Sequence, residues 1–185
     1  DLKNMKNDAP SRGNLTLGYL LNTISPEEYY ENLQPTLYDY NGFNLLLGDA
    51  DNLYYFSNKT DGIQKLSPGI HGISNAILNT PWPKVEKAKQ KLESLLKQED
   101  VHPFEVIDIL KNTTIAKDED LPDTGVGLEL ERMLSSIFIK SEKYGTRCSS
   151  VLMVDKENNV QFVEKFFFGG LGTFSNREFK FKINS

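Results

Sequence analysis

Cysteine is the scarcest residue in this 185-residue sequence, equalled only by tryptophan at one copy, with histidine at two. A single thiol, Cys148, excludes an internal disulfide and fits a reducing compartment, so the expected location is cytoplasmic. His71 and His102 stand apart with no spaced partner, and no metal ligand set is expected from them. Basic blocks are also missing. The 21 Lys and Arg are outnumbered by 26 Asp and Glu, a formal net charge of −5, and nucleic acid is not an expected partner. No apolar run approaches the roughly 20 residues that span a bilayer, so no membrane span is expected. What is there is 38% hydrophobic and 25% charged, the balance of a globular chain rather than a disordered one. The length suits one domain over residues 1–185.

Periodicity then gives an order of elements. GNLTLGYLLNTI (residues 13–24) puts Leu15, Leu17, Tyr19, Leu20 and Leu21 on a broad apolar helical face. Ser25-Pro26-Glu27-Glu28 is a helix start, with Ser25 as the cap and Glu28 three residues later. That helix runs to about Leu33, and a turn follows near Pro35. Residues 40–76 change to an alternating period with turns at 48–51 and 60–62, which predicts a meander of about four strands. The unbroken Leu45-Leu46-Leu47 predicts a strand covered on both faces. Pro83 opens a helix with Val85, Ala88, Leu92, Leu95 and Leu96 at helical spacing, and a second runs from about Pro103 to Leu110. Residues 112–127 form a long acidic loop, and a short helix follows from about Leu128 to Ser135. SSVLMVD and VQFVEKFFF make a hairpin through 156–159. A further turn is expected at Gly169-Gly170-Leu171-Gly172. Phe179, Phe181 and Ile183 alternate with charges in a half-exposed last strand. Clusters of helices between hairpin-linked strands imply an α+β fold.

Short motifs in this chain are weak. LPDTG at 121–125 spells a sortase signal but lacks the apolar tail and basic end behind it, so a turn leading into a helix is the better reading. Asp118, Glu119, Asp120 and Asp123 lack the calcium-loop spacing and read as a solvated acidic loop. Cys148 beside Arg147 could carry a lowered thiol pKa, yet its flanks read as strand and favour a buried structural thiol. Two polar groups remain at predicted strand ends. Asn75 precedes the rigid corner Pro81-Trp82-Pro83, and Arg147 leads into the penultimate hairpin. Structural roles compete at both: a cap for Asn75, a salt bridge for Arg147.

Successive blocks carry a resemblance across nearly the whole chain: SRG at 11–13, YNGFNLLLGD at 40–49, LYYFSN at 53–58, GISNAILNTPWPKV at 72–85, LPDTGVGLELER at 121–132 and YGTRCSSVL at 144–152. In order and content they resemble the NRDE family, also called the transport and Golgi organisation protein 2 family. That family begins Met-Cys and later carries Asn-Arg-Asp-Glu, neither of which is in this chain. The resemblance therefore implies an N-terminally truncated NRDE-type domain. More distantly the family resembles N-terminal nucleophile hydrolases of the bile-salt hydrolase and penicillin V acylase type. The likeness implies a four-layer αββα sandwich with two antiparallel sheets, here without its N-terminal portion.

In such enzymes an N-terminal cysteine attacks an amide carbonyl and its own α-amine is the base. By the same resemblance Asn75 corresponds to the oxyanion donor, and Arg147 to the arginine supporting the nucleophile's charge. This implies a cysteine-type amide hydrolase or acyltransferase, acting on a small acylated substrate without a cofactor. The nucleophile is not in this chain, and Cys148 has no free α-amine to replace it. The alternative is a non-catalytic carrier of an apolar ligand such as haem, lipid or acyl-CoA, and a scaffold with no small-molecule site is a third. A chain missing strands would also be expected to pair, as a homodimer or with its missing segment.

Overall fold

The computed structural model describes residues 5–49, 51–142, 144–168 and 173–183. The chain divides into two compact units, Asp1–Gly69 with Ile73–Thr80, and Ile70–Gly72 with Pro81–Ser185. Both combine helices with an antiparallel sheet, as the α+β expectation requires.

The first unit opens with α1 (Gly13–Leu20) and α2 (Pro26–Leu33), continues through a 3-10 helix (Gln34–Asp39), and ends in strands β1 (Asn44–Gly48), β2 (Leu53–Ser57) and β3 (Ile63–Lys65). Helix α2 starts where its sequence says. Ser25 Oγ accepts from Glu28 N–H at 3.1 Å, and Pro26 takes the first helical position, where no N–H is needed. The strands pair in the order β1-β2-β3, with Leu45 opposite Phe56 and Leu47 opposite Tyr54. Asp49 Oδ1 ties the β1–β2 turn by accepting from Asp51 and Asn52 N–H at 2.9 and 2.8 Å. Those backbone bonds hold its carboxyl below the usual range. A side chain at Gly48 would meet Asn52 O at 2.1 Å, so the turn needs glycine there.

Leu15, Tyr29, Tyr30, Leu37, Phe43, Leu45, Leu47 and Phe56 form the core of this unit. Phe56 is fully buried, edge-on to Tyr30 and Phe43 with centroids 5.2 and 6.0 Å away. Such edge contacts add about 0.5–1.5 kcal/mol to the burial of the rings. Tyr29 keeps its hydroxyl satisfied by donating to Leu15 O at 2.6 Å. Three expectations are corrected. The broad apolar face of α1 buries Leu15, while Leu17, Leu20 and Leu21 are exposed. Strand β1 is covered on one face at its centre, because Leu46 is 44% exposed between buried Leu45 and Leu47. The meander has three strands, because residues 66–80 run through bends and turns without a strand.

The second unit contains α3 (Pro83–Leu95), α4 (Pro103–Leu110), a 3-10 turn (Asp118–Asp120), α5 (Leu128–Leu134) and strands β4 (Cys148–Val154), β5 (Asn159–Phe168) and β6 (Thr173–Lys182). Helix α4 has a reciprocal cap. His102 Nδ1 accepts from Phe104 N–H at 3.3 Å, and the Glu105 carboxylate accepts from His102 N–H at 2.8 Å. The sheet order is β4-β5-β6, antiparallel throughout. One face takes α4, with Ile107 packed on Val151 and Val163, and Phe138 stands edge-on to Phe167 at 4.8 Å. Lys165 is only 7% exposed and lies 3.5 Å from the centre of the Phe174 ring. Burial, then the charge of Lys111, pushes its pKa down.

The other face of this sheet carries Leu152 and Val154 on β4, Phe162 on β5, and Phe179 and Phe181 on β6. Leu152, Val154, Phe179 and Phe181 are exposed, so the last strand is more open than its half-exposed reading. Cys148, expected to be buried, is exposed at the first position of β4. Its parity explains this: Ser149 and Val151 point to the covered face, and Cys148 and Ser150 to the open one. The turn expected at Gly169–Gly172 lies outside the described residues.

Candidate functional site

The stretch holding Asn75 is a clamped loop rather than a strand end. Asn44, first residue of β1, donates from Nδ2 to Ala76 O at 2.8 Å and Ser74 O at 3.3 Å. Its Oδ1 accepts from the Tyr55 hydroxyl at 2.8 Å, and that hydroxyl oxygen accepts from Leu78 N–H at 3.2 Å. Lys59 Nζ donates to Asn75 O at 2.7 Å. Thr80 closes the far end, its Oγ1 donating to Ile77 O at 2.9 Å and accepting from Ile77 N–H at 3.3 Å. Three side chains from the β1–β2 region therefore hold the backbone on both sides of Asn75.

The Asn75 side chain itself is exposed, and its Oδ1 accepts only a long 3.5 Å bond from Ser74 Oγ. Among the described residues its NH₂ group has no acceptor. A carboxamide on an immobilised backbone with its donor end free is suited to meet an oxygen carrying negative charge, because little reorganisation is then required. Asn44, Tyr55 and Lys59 escaped the sequence reading. The available signal was an asparagine opening an otherwise apolar strand, in NLLL, where a half-buried carboxamide needs partners.

Arg147 belongs to the second unit. The chain before it makes a small hairpin, bridged between Lys140 and Gly145. Thr146 N–H donates to Ile139 O at 2.9 Å, and Thr146 Oγ1 accepts from Ile139 N–H at 3.0 Å. Arg147 O accepts from Phe167 N–H at 2.8 Å, which fixes its backbone against β5. The guanidinium is exposed, and among the described residues it makes no ion pair. Asn75 and Arg147 thus share one design, a secured backbone with a free polar head, in two different units.

The acidic segment serves itself. Asp118 takes a two-pronged bond from Arg132, 2.7 Å to Nε and 2.5 Å to Nη2, which holds the Asp118 carboxyl below its usual range. Glu131, buried on α5, accepts from both Thr124 N–H at 2.7 Å and Thr124 Oγ1 at 2.5 Å, folding LPDTG back onto the helix. Among the described residues no group of three or more His, Cys, Asp or Glu is placed to hold a metal ion, and no helix is long and apolar enough to cross a membrane.

The sequence profile of the Transport and Golgi organisation 2 family matches residues 1–168. The chain belongs to that family. It is 29% identical over 197 residues to the Transport and Golgi organization protein 2 homolog of Homo sapiens, covering 96% of this chain and 70% of the relative. The Mus musculus homolog is 28% identical over 176 residues, covering 85% of this chain and 62% of its own length. The Drosophila melanogaster protein is 27% identical over 184 residues, covering 88% of this chain and 63% of its own length. The chain therefore spans 62 to 70% of these three relatives. The Transport and Golgi organisation 2 match runs through both units, taking in the clamped loop and the Arg147 hairpin and ending at Phe168 before β6.

Proposed function

We propose that this Transport and Golgi organisation 2 family chain supplies two polar arms of an amide-hydrolase or acyl-transfer site of the N-terminal nucleophile type. Asn75 is the oxyanion donor and Arg147 the group that supports a thiolate. The nucleophile is a cysteine of the family's Met-Cys start, contributed by the full-length protein. In this reading the full-length protein has the αββα fold of that enzyme type, and the substrate is a small acylated compound. The observation that carries it is the clamp on residues 74–80, which immobilises the backbone of Asn75 while leaving its NH₂ donor free. A core asparagine needs no such arrangement.

The chemistry asks little of this chain beyond placement. Attack of sulfur on the amide carbonyl puts negative charge on oxygen, and a fixed carboxamide donor stabilises it. Loss of one such donor costs about 100- to 1,000-fold in kcat. The test is made in the full-length protein with a panel of acyl amides, following acylation of the cysteine by intact-protein mass spectrometry. Asn75→Ala should lower kcat by that factor, and Arg147→Gln should slow acylation at neutral pH more than at alkaline pH, where the thiol ionises unaided. If no cysteine-bound acyl group forms with any of the panel, or if Asn75→Ala acylates at the wild-type rate, the reading fails.

A further inference from the structure

In the second unit, a cavity of about 200 Å³ opens between the start of α3, the segment 112–117 and the end of α5. Its lining includes Lys84, Lys87, Lys117, Asp120, Ile115 and Ile137. Three lysines stand against Asp120 in the lining, with Glu119 beside Lys117 and the buried Glu131 acting on Lys84. Lys84 and Lys87 are half-buried, and Lys117 is exposed. One of the three N–H bonds of Lys84 is used on Leu134 O at 2.8 Å, leaving two, and burial pushes its pKa down. Helix α3 adds the positive end of its dipole. It begins at Pro83 behind Trp82, whose side chain makes no capping bond, and its first turn also carries Glu86.

The walls are fixed. Ala116 N–H donates to Ser135 Oγ at 2.9 Å, Phe138 N–H to Asn112 O at 2.8 Å, and Arg132 grips Asp118 just beyond. Lys117 also lies 3.4 Å from Glu119, but both are largely exposed, and such pairs are weak. Glu131, the carboxylate that attracts Lys84, is held by Thr124. Ile115 is an exposed apolar side chain at the rim.

We propose that this cavity binds a small phosphate monoester, with Lys84, Lys87 and Lys117 facing the phosphate and Ile115 and Ile137 facing its carbon group. Charge selects this class over a carboxylate. A phosphate monoester carries about −1.5 to −2 at neutral pH and offers three strong acceptor oxygens to the three lysines, whereas a carboxylate carries one charge and offers two oxygens. The proposal is independent of any acyl chemistry at Asn75.

The chain, labelled at isoleucine methyls, is titrated with butyl phosphate, butyrate and butanol at low salt. Butyl phosphate should shift the Ile115 and Ile137 methyls saturably, butyrate should bind about tenfold more weakly or worse, and butanol should do nothing. Lys84→Met should abolish the response. Lys117→Glu, at an exposed position that leaves the fold intact, should weaken binding by about tenfold or more. The proposal is overturned if butyl phosphate gives no saturable shift, if butyrate binds as tightly, or if Lys117→Glu binds like wild type. Co-sedimentation with phosphatidylcholine vesicles, with and without phosphatidate, separates the sources. Pelleting only with phosphatidate, lost in Lys117→Glu, assigns a lipid headgroup; butyl phosphate binding without pelleting assigns a soluble ester.

Discussion

The two sheets have the same strand number and connectivity but treat their apolar side chains differently. In the first, Phe43, Leu45, Leu47 and Phe56 enter one aromatic-rich core, and the opposite face gives Asn44 and Tyr55 to the clamp on residues 74–80. In the second, Val151 and Val163 meet α4 on one side, while Leu152, Val154, Phe179 and Phe181 lie open on the other. Their loops differ in the same spirit. Residues 74–80 are held to the first sheet mainly by a carboxamide and a phenol, while the acidic loop of the second unit is held by a carboxylate–guanidinium pair. The lesson is that an apolar strand residue predicts its face but not its cover, and that the chemistry of a loop's anchor sets what disturbs it.

The contrast can be broken most forcefully at Phe56. Phe56→Ala should cost about 3–5 kcal/mol, since it empties the centre of the first core; urea unfolding followed by far-UV circular dichroism measures it. A loss below about 1 kcal/mol would mean that this core is no tighter than the open face of the second sheet. Next in size, Asn44→Ala should cost about 1–3 kcal/mol, because Ser74 O, Ala76 O and the Tyr55 hydroxyl all lose a partner. Hydrogen exchange should then quicken at Leu78, whose amide donates to Tyr55, ahead of the amides of β2.

The loop of the second unit should respond to pH instead. The Asp118 carboxyl is depressed below its ordinary 3.8 by Arg132. Its contribution to stability is therefore present above that value and is lost as pH falls through the lower folded one. Asp118→Asn should flatten the acid end of the stability curve below about pH 4 and leave its neutral part nearly flat, as thermal unfolding across a pH series would reveal. The smallest effect belongs to the open face. Phe181→Ser, at a residue 56% exposed, should change unfolding free energy by no more than about 0.5 kcal/mol. A larger loss would show that this face is covered in solution.

Local chemistry was the legible part of the sequence. Ser25, Pro26 and Glu28 announce the start of α2 because capping is settled within four residues. Pro83 and Pro103 likewise mark the first helical positions of α3 and α4. The turns that follow β1 and lie at 60–62 could be read because tight turns restrict residue type. Cover was illegible, because it depends on what packs against a face. Leu17 and Leu20 look like core at helical spacing yet stand in solvent, and Leu46 does so between two buried leucines. Cys148 was misplaced for a subtler reason: its strand was identified, but burial turns on one residue of parity. The GIHGIS segment has the apolar content of a strand, but it holds no strand, and the carbonyl of its last residue, Ser74, accepts from the Asn44 side chain. Of the candidate site, the exposed polar heads of Asn75 and Arg147 could be picked out. Their supports could not, because Asn44 and Lys59 lie 31 and 16 residues from Asn75 along the chain.

Glu131 has a consequence for the letters LPDTG. A transpeptidase or endoprotease needs its target drawn out as a strand, with the scissile Thr–Gly bond accessible on both sides. Here the threonine's amide and hydroxyl are both tethered to a buried carboxylate seven residues on, in the first turn of α5. The motif is spelled correctly and folded shut. Added sortase should leave the native chain whole and cut only after that tether is lost, which makes cleavage at Thr124 a reporter of local unfolding.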